Sequence, residues 1–129
     1  SISGDTIYDK NLVNNSKNVD VLFHESMSLD LVNLLNKNAK RMGNTMGAKV
    51  TIDIQDYHTP IPEIVQAAQE ANVGHLVFYH HLPAPRNRLM EDIMYRGVDQ
   101  IIENWTASHD GTMVVLPIDS DEIIVTSVD

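Results

Sequence analysis

Apolar and polar positions follow two rhythms along this chain. Ile2 belongs to a short strand-like fragment that runs into Gly4-Asp5-Thr6. The run Val19-Asp20-Val21-Leu22-Phe23 is apolar, rich in β-branched residues and ends at His24-Glu25, which predicts a buried strand. Leu29, Val32, Leu35 and Ala39 then recur at helical spacing after Ser28, whose side chain suits the free amides of a first turn. A helix is therefore predicted, closed by Gly43 or Gly47. From Lys49 to Tyr57 the pattern reads both ways: Val50, Ile52 and Ile54 alternate like a strand, while a short helix stays open. Pro62-Glu63 opens a second helix through Ile64, Ala67, Ala68 and Ala71, because proline is tolerated in a first turn whose amides lack partners; Asn72 and Gly74 close it.

The stretch His75 to Tyr79 predicts another buried strand, ending in His80 and His81. Pro83 and Pro85 stiffen the loop that follows. Met90, Ile93, Met94 and Ile101 predict a helix from about Arg88 to Ile102, weakened by Gly97. Asp110-Gly111 marks a turn, after which Met113 to Leu116 and Ile123 to Val125 form a hairpin. The order of elements predicts an α/β (α+β) fold with mixed strand pairing and flanking helices.

Composition narrows this reading. At 129 residues, with 43% hydrophobic and 21% charged residues, residues 1–129 predict a single soluble domain. No apolar run reaches the length of a membrane span. The absence of cysteine removes disulfides and thiolate ligands, so any transition metal must be held by histidine and carboxylate. A net charge of −9 opposes phosphate backbones, and Arg86, Arg88 and the more distant Arg96 are the only local cationic cluster, which makes nucleic acid an unlikely partner. The compartment stays open.

Polar groups fall where chemistry gathers in such folds. Asp5, His24-Glu25 and His80-His81 each follow a predicted strand, and His58 precedes a helix. Ligands of open α/β sheets collect at the carboxyl ends of strands, so these positions can converge on one rim.

The succession Gly-Asp-Thr at residues 4–6, His-Glu-Ser-Met at 24–27, Tyr-His-Thr-Pro at 57–60 and Leu-Val-Phe-Tyr-His at 76–80 resembles the C-terminal half of the αββα metallo-β-lactamase sandwich, in the branch of ribonuclease Z and its arylsulfatase-like relatives. The likeness runs from about residue 2 to residue 118. It implies a metal-dependent hydrolase of ester-type bonds (phosphodiester, sulfate ester or lactone) that uses hydroxide activated by two divalent ions. Zinc is favoured, with manganese or iron as alternatives. The resemblance implies Asp5 as a bridging metal ligand, His80 as a terminal ligand, and Glu25 and His58 as the pair assisting proton transfer. His24 would be structural, and His81 would line a substrate pocket or the surface. His75 and His109 are expected only at an exposed strand edge and in a loop. A bridging carboxylate suits ions roughly 3.5–4 Å apart, whose shared water loses a proton near neutral pH.

The His-x-His-x-Asp-His motif and one further histidine, which complete the family's ligand set, do not occur in these residues. The chain is therefore expected to be a partial domain, with the N-terminal half lost or present as another chain. Ile-Tyr-Asp-Lys after Gly-Asp-Thr, His-Glu-Ser-Met for His-Glu-Ala-Thr and His-Thr-Pro for His-Ser-Thr depart from the transfer-RNA processing enzymes. These departures favour a small-molecule ester substrate, anionic or neutral, over transfer-RNA 3′ processing by a ribonuclease Z-like phosphodiesterase. A third expectation is an inactive fragment that self-associates as a homo-oligomer through the face meant for its missing half.

Overall fold

The computed structural model of the chain describes residues 1–128. Helix α1 (Lys10–Asn15) precedes strand β1 (Val21–Met27). Helices α2 (Leu29–Arg41), α3 (Thr45–Asp53) and α4 (Ile61–Ala71) then connect it to strand β2 (His75–Leu82). Helix α5 (Arg88–Met94) leads to strand β3 (Trp105–Ala107), and β4 (Thr112–Val115) and β5 (Ile124–Ser127) close the chain. Strands β1, β2 and β3 form a parallel sheet in that order, with Val21 opposite His75 and Leu76 opposite Trp105. Ile2 extends the sheet by a parallel bridge to Phe23 on the other edge of β1. The antiparallel β4–β5 hairpin is a second sheet, so the parallel and antiparallel pairings of the expected mixed fold lie in separate places.

The core follows the two rhythms. Leu22, Leu76 and Phe78 meet Ile61, Ile64, Val65 and Ala68, which recur every three or four residues on α4, together with Met94, Tyr95 and Val98. Each large apolar side chain buried this completely contributes about 1.5–3 kcal/mol before the entropy of ordering it is counted. Phe78 stacks obliquely on Tyr95 at 4.9 Å and edge-on to Trp105 at 5.8 Å, which locks the far side of β2.

The capping residues behave as their chemistry dictates. The Ser28 hydroxyl accepts the Leu31 amide at the start of α2, and Asn72 ends α4 in the left-handed region with φ 53°. Lys49 to Asp53 is helical and continues as a 3-10 turn over Ile54–Asp56, which removes the strand alternative. Local hydrogen bonds outweigh the β-branched alternation there: Asn44 caps α3, and Asn36 of α2 donates to the Ala48 carbonyl at 2.7 Å and to the Thr51 hydroxyl at 2.8 Å.

Two expectations change in extent. On α2, Val32 is buried and Leu31 packs against the core, whereas Leu29 and Leu35 remain 38% and 43% exposed: the stripe that meets the core passes through Leu31 and Val32 instead. The last predicted helix stops at Met94; Gly97 takes φ 89°, a value that L side chains disfavour, and a separate 3-10 turn spans Val98–Gln100. Helix α1 and strand β3 carry too few apolar residues to show in the pattern.

Candidate metal and proton-transfer site

The sheet delivers its polar residues to one end. Ser1 and Ser3 hydrogen-bond along β1, with the Ser3 amide on the Phe23 carbonyl at 2.9 Å, so the next residues, Gly4 and Asp5, leave the sheet at the same end as Glu25. Gly4 turns with φ 66°. Its amide donates to the Tyr79 hydroxyl at 3.1 Å, and the Thr59 hydroxyl donates to the Thr6 carbonyl, so the Asp5 turn is held on both sides.

His80 reaches this turn through a break in register. Glu25 lies opposite Tyr79 and Ser26 opposite His81, so His80 has no partner and forms a β-bulge. Its φ is 45°, a left-handed value that costs a non-glycine residue on the order of 1–3 kcal/mol and that tends to be kept where it aims a side chain. The bulge brings His80 Nδ1 to 3.2 Å from Asp5 Oδ1, with the two side chains 45% and 58% exposed.

Behind this pair lies a buried dyad. Glu25 of β1 is fully buried; its Oε1 accepts the Thr59 amide at 2.8 Å and its Oε2 lies 3.1 Å from His58 Nδ1. Burial pushes the Glu25 carboxyl above its ordinary value, while the Thr59 amide and then His58 pull the other way. With the carboxylate ionised, His58 Nδ1–H donates to it, and the lone pair is left on Nε2. The ring of His58 stands edge-on to that of His80, centroids 5.3 Å apart.

One donor atom each from Asp5, His58 and His80 lies within 4.8 Å of the others, the sole such group among the described residues. One carboxylate oxygen and two imidazole nitrogens are donors that suit zinc, whose bonds to them run about 2.0–2.2 Å. Asp5, Glu25, His58 and His80, all singled out from the sequence, therefore converge, and His58 stands close enough to Asp5 and His80 to serve as a further ligand.

The remaining histidines do other work. His24 is buried beside Glu25 but on the opposite face of β1; its Nδ1 lies 2.7 Å from the Glu25 carbonyl, and burial lowers its affinity for protons. His75, expected at an exposed edge, is instead half-buried on the central strand and bonded to the Thr106 hydroxyl at 2.8 Å. His109 is exposed and paired with Glu91 at 3.0 Å. His81 lines an open cleft of about 420 Å³ with Tyr79, His80, Ser108 and His109, and also anchors inward to Tyr95, Ser26 and the Ser108 carbonyl. Thr59 and Tyr79, which hold Glu25 and the Asp5 turn, gave no signal in the sequence, because a backbone amide and a strand tyrosine carry no motif.

No family model matches the chain. Over 117 residues it is 28% identical to ribonuclease Z of Halalkalibacterium halodurans, across 91% of this chain and 32% of that protein. The crystal structure of the metallo-β-lactamase fold protein YhfI from Bacillus subtilis superimposes with a TM-score of 0.51 at 15% identity, covering 81% of this chain and 34% of that one. The chain thus spans about a third of the length of the proteins it matches, and its fold is that of a part of the metallo-β-lactamase fold, in keeping with the C-terminal portion.

Proposed function

We propose that this chain is the C-terminal part of a metal-dependent hydrolase of ester bonds, with Asp5 and His80 as metal ligands and Glu25 and His58 as the proton-transfer pair. The observation that carries this reading is the meeting of Asp5, His58 and His80 donor atoms within 4.8 Å, directly in front of the buried Glu25 carboxylate. Two divalent ions, zinc first by donor type, would supply Lewis acidity and a water acidified to near neutrality. The rest of the domain would contribute their remaining ligands.

The chain's own residues account for proton movement. Glu25 fixes Nδ1–H of His58, so Nε2 alternates between accepting a proton and giving one up. In the protonated ring, Nε2–H can pass its proton to the leaving oxygen of an ester. The resulting neutral imidazole is the form that the Glu25 hydrogen bond orients. The cleft beside His80 offers space for the substrate.

A phosphodiester is the favoured ester. The negative charge of the chain argued against nucleic acid, but the likeness to a ribonuclease Z over 91% of the chain weighs the other way, and an RNA phosphodiester is the second reading. Whole protein should be assayed with a chromogenic phosphodiester, a sulfate ester, a lactone and a precursor RNA. Metal-dependent turnover of at least one, abolished by Asp5→Ala, supports the reading; full activity of that variant refutes it.

A further inference from the structure

The bulge at His80 is held by its two neighbours, and they hold different things. Tyr79, on one side, accepts the Gly4 amide at its hydroxyl and so grips the turn that carries Asp5. His81, on the other side, enters a partly buried polar chain. Its Nε2 lies 2.7 Å from the Ser108 carbonyl, which can only accept, so Nε2 carries the proton and Nδ1 accepts from the Tyr95 hydroxyl. Tyr95 is also 2.8 Å from the Ser26 hydroxyl, and Ser26 is the residue opposite His81 where pairing resumes. The Ser108 amide in turn donates to the Phe78 carbonyl at 2.9 Å. One chain of hydrogen bonds thus ties β1, β2, the end of α5 and the residue after β3 at the point where the register slips.

An apolar set of side chains would pack this corner without an aligned polar chain, and strand pairing without the extra residue would need no left-handed histidine. We infer that Tyr79 and His81 are positioning residues that set the separation of Asp5 from His80, Tyr79 through the Gly4 amide and His81 by pinning the strand just beyond the bulge. Neither touches the candidate ion. The inference rests on the reading of Asp5 and His80 as metal ligands, since it assigns their preorganisation to residues outside the ligand set.

The test uses Tyr79→Phe, which keeps the ring and loses one partly exposed hydroxyl, and His81→Asn, whose shorter amide cannot reach both Tyr95 and Ser108. Three quantities are measured in each variant of the whole protein: the His80 one-bond Cα–Hα coupling, which reads the sign of φ; the melting temperature; and the affinity for zinc ion alone, by calorimetry. His81→Asn should lose the positive-φ coupling at His80, and Tyr79→Phe should retain it with an unchanged melting temperature. Both should bind zinc roughly 10- to 100-fold more weakly, as is usual when outer partners of a metal site are removed. Wild-type coupling and wild-type zinc affinity in both variants, or a lowered melting temperature as the sole change, would overturn the assignment. If His81→Asn does not fold, the affinity of Tyr79→Phe decides. If the wild-type whole protein binds no zinc, the metal reading falls, while the coupling at His80 still reports whether His81 sets the bulge.

Discussion

His80 Nδ1 stands 3.2 Å from Asp5 Oδ1 because a single unpaired residue in β2 turns the histidine out of the strand and toward the turn after Ile2. In a regular strand His80 would point to the face opposite Tyr79, away from the turn that the Tyr79 hydroxyl holds. The short distance therefore depends on backbone conformation as much as on side-chain identity.

Replacing a proposed ligand should be more damaging than replacing a neighbour. Asp5→Asn keeps size and turn chemistry but removes the charge. Zinc affinity should fall by more than the roughly 10- to 100-fold expected for an outer partner, with the melting temperature unchanged because the side chain is exposed. Calorimetric titration with zinc checks this.

Glu25→Gln separates charge from shape. The amide can donate to His58 Nδ1 and so move the imidazole proton to Nε2, which removes the Nε2 lone pair that accepts a proton. Turnover by the whole protein should fall about 10²- to 10⁴-fold. Stability should move the other way. Because burial raises the Glu25 pKa, its favourable protonated form is complete below about 4.5 and is lost as pH rises through the folded value. At pH 8 the melting temperature of Glu25→Gln should therefore equal or exceed that of the wild type.

The buried His24 and the partly buried His81 give the opposite pH dependence. Burial lowers the pKa of His24 and of His81, so their contribution to stability is present above the unfolded value of 6.5 and is lost as pH falls through the folded values. Melting temperature should drop on acidification below about 6.5. The drop should be shallower in His24→Gln, and scanning calorimetry between pH 5 and pH 8 measures both.

Phe78 is the fully buried centre of the core, packed on Tyr95 and Trp105. Phe78→Ala should cost about 3–5 kcal/mol in denaturant unfolding. Gly97→Ala places a side chain in open space but at φ 89°, so its cost should be conformational alone, about 1–2 kcal/mol.

Most of the scaffold was legible in the sequence because it rests on local rules: apolar runs at Val19 to Phe23 and His75 to Tyr79, a serine cap at residue 28, Pro62 in the first turn of α4, an Asp-Gly turn. The segment from Lys49 to Tyr57 was not, since its alternation is decided by contacts with Asn36 across the helical hairpin. The chemistry of Asp5, Glu25, His58 and His80 was readable as residue types at strand ends. Their convergence depends on parallel pairing of β1 with β2, on the bulge at His80 and on the Thr59 amide, none of which has a periodicity. His75 was misplaced for the same reason: strand order put it on the central strand once β3 joined the sheet beside it.

The most direct test of the metal assignment is an anomalous-difference map, recorded at the zinc edge, from crystals of the whole protein soaked in zinc. The account predicts a peak about 2.0–2.2 Å from an Asp5 carboxylate oxygen and from a His80 imidazole nitrogen. A map with zinc bound only elsewhere, or with no peak between these two residues at saturating zinc, would contradict it.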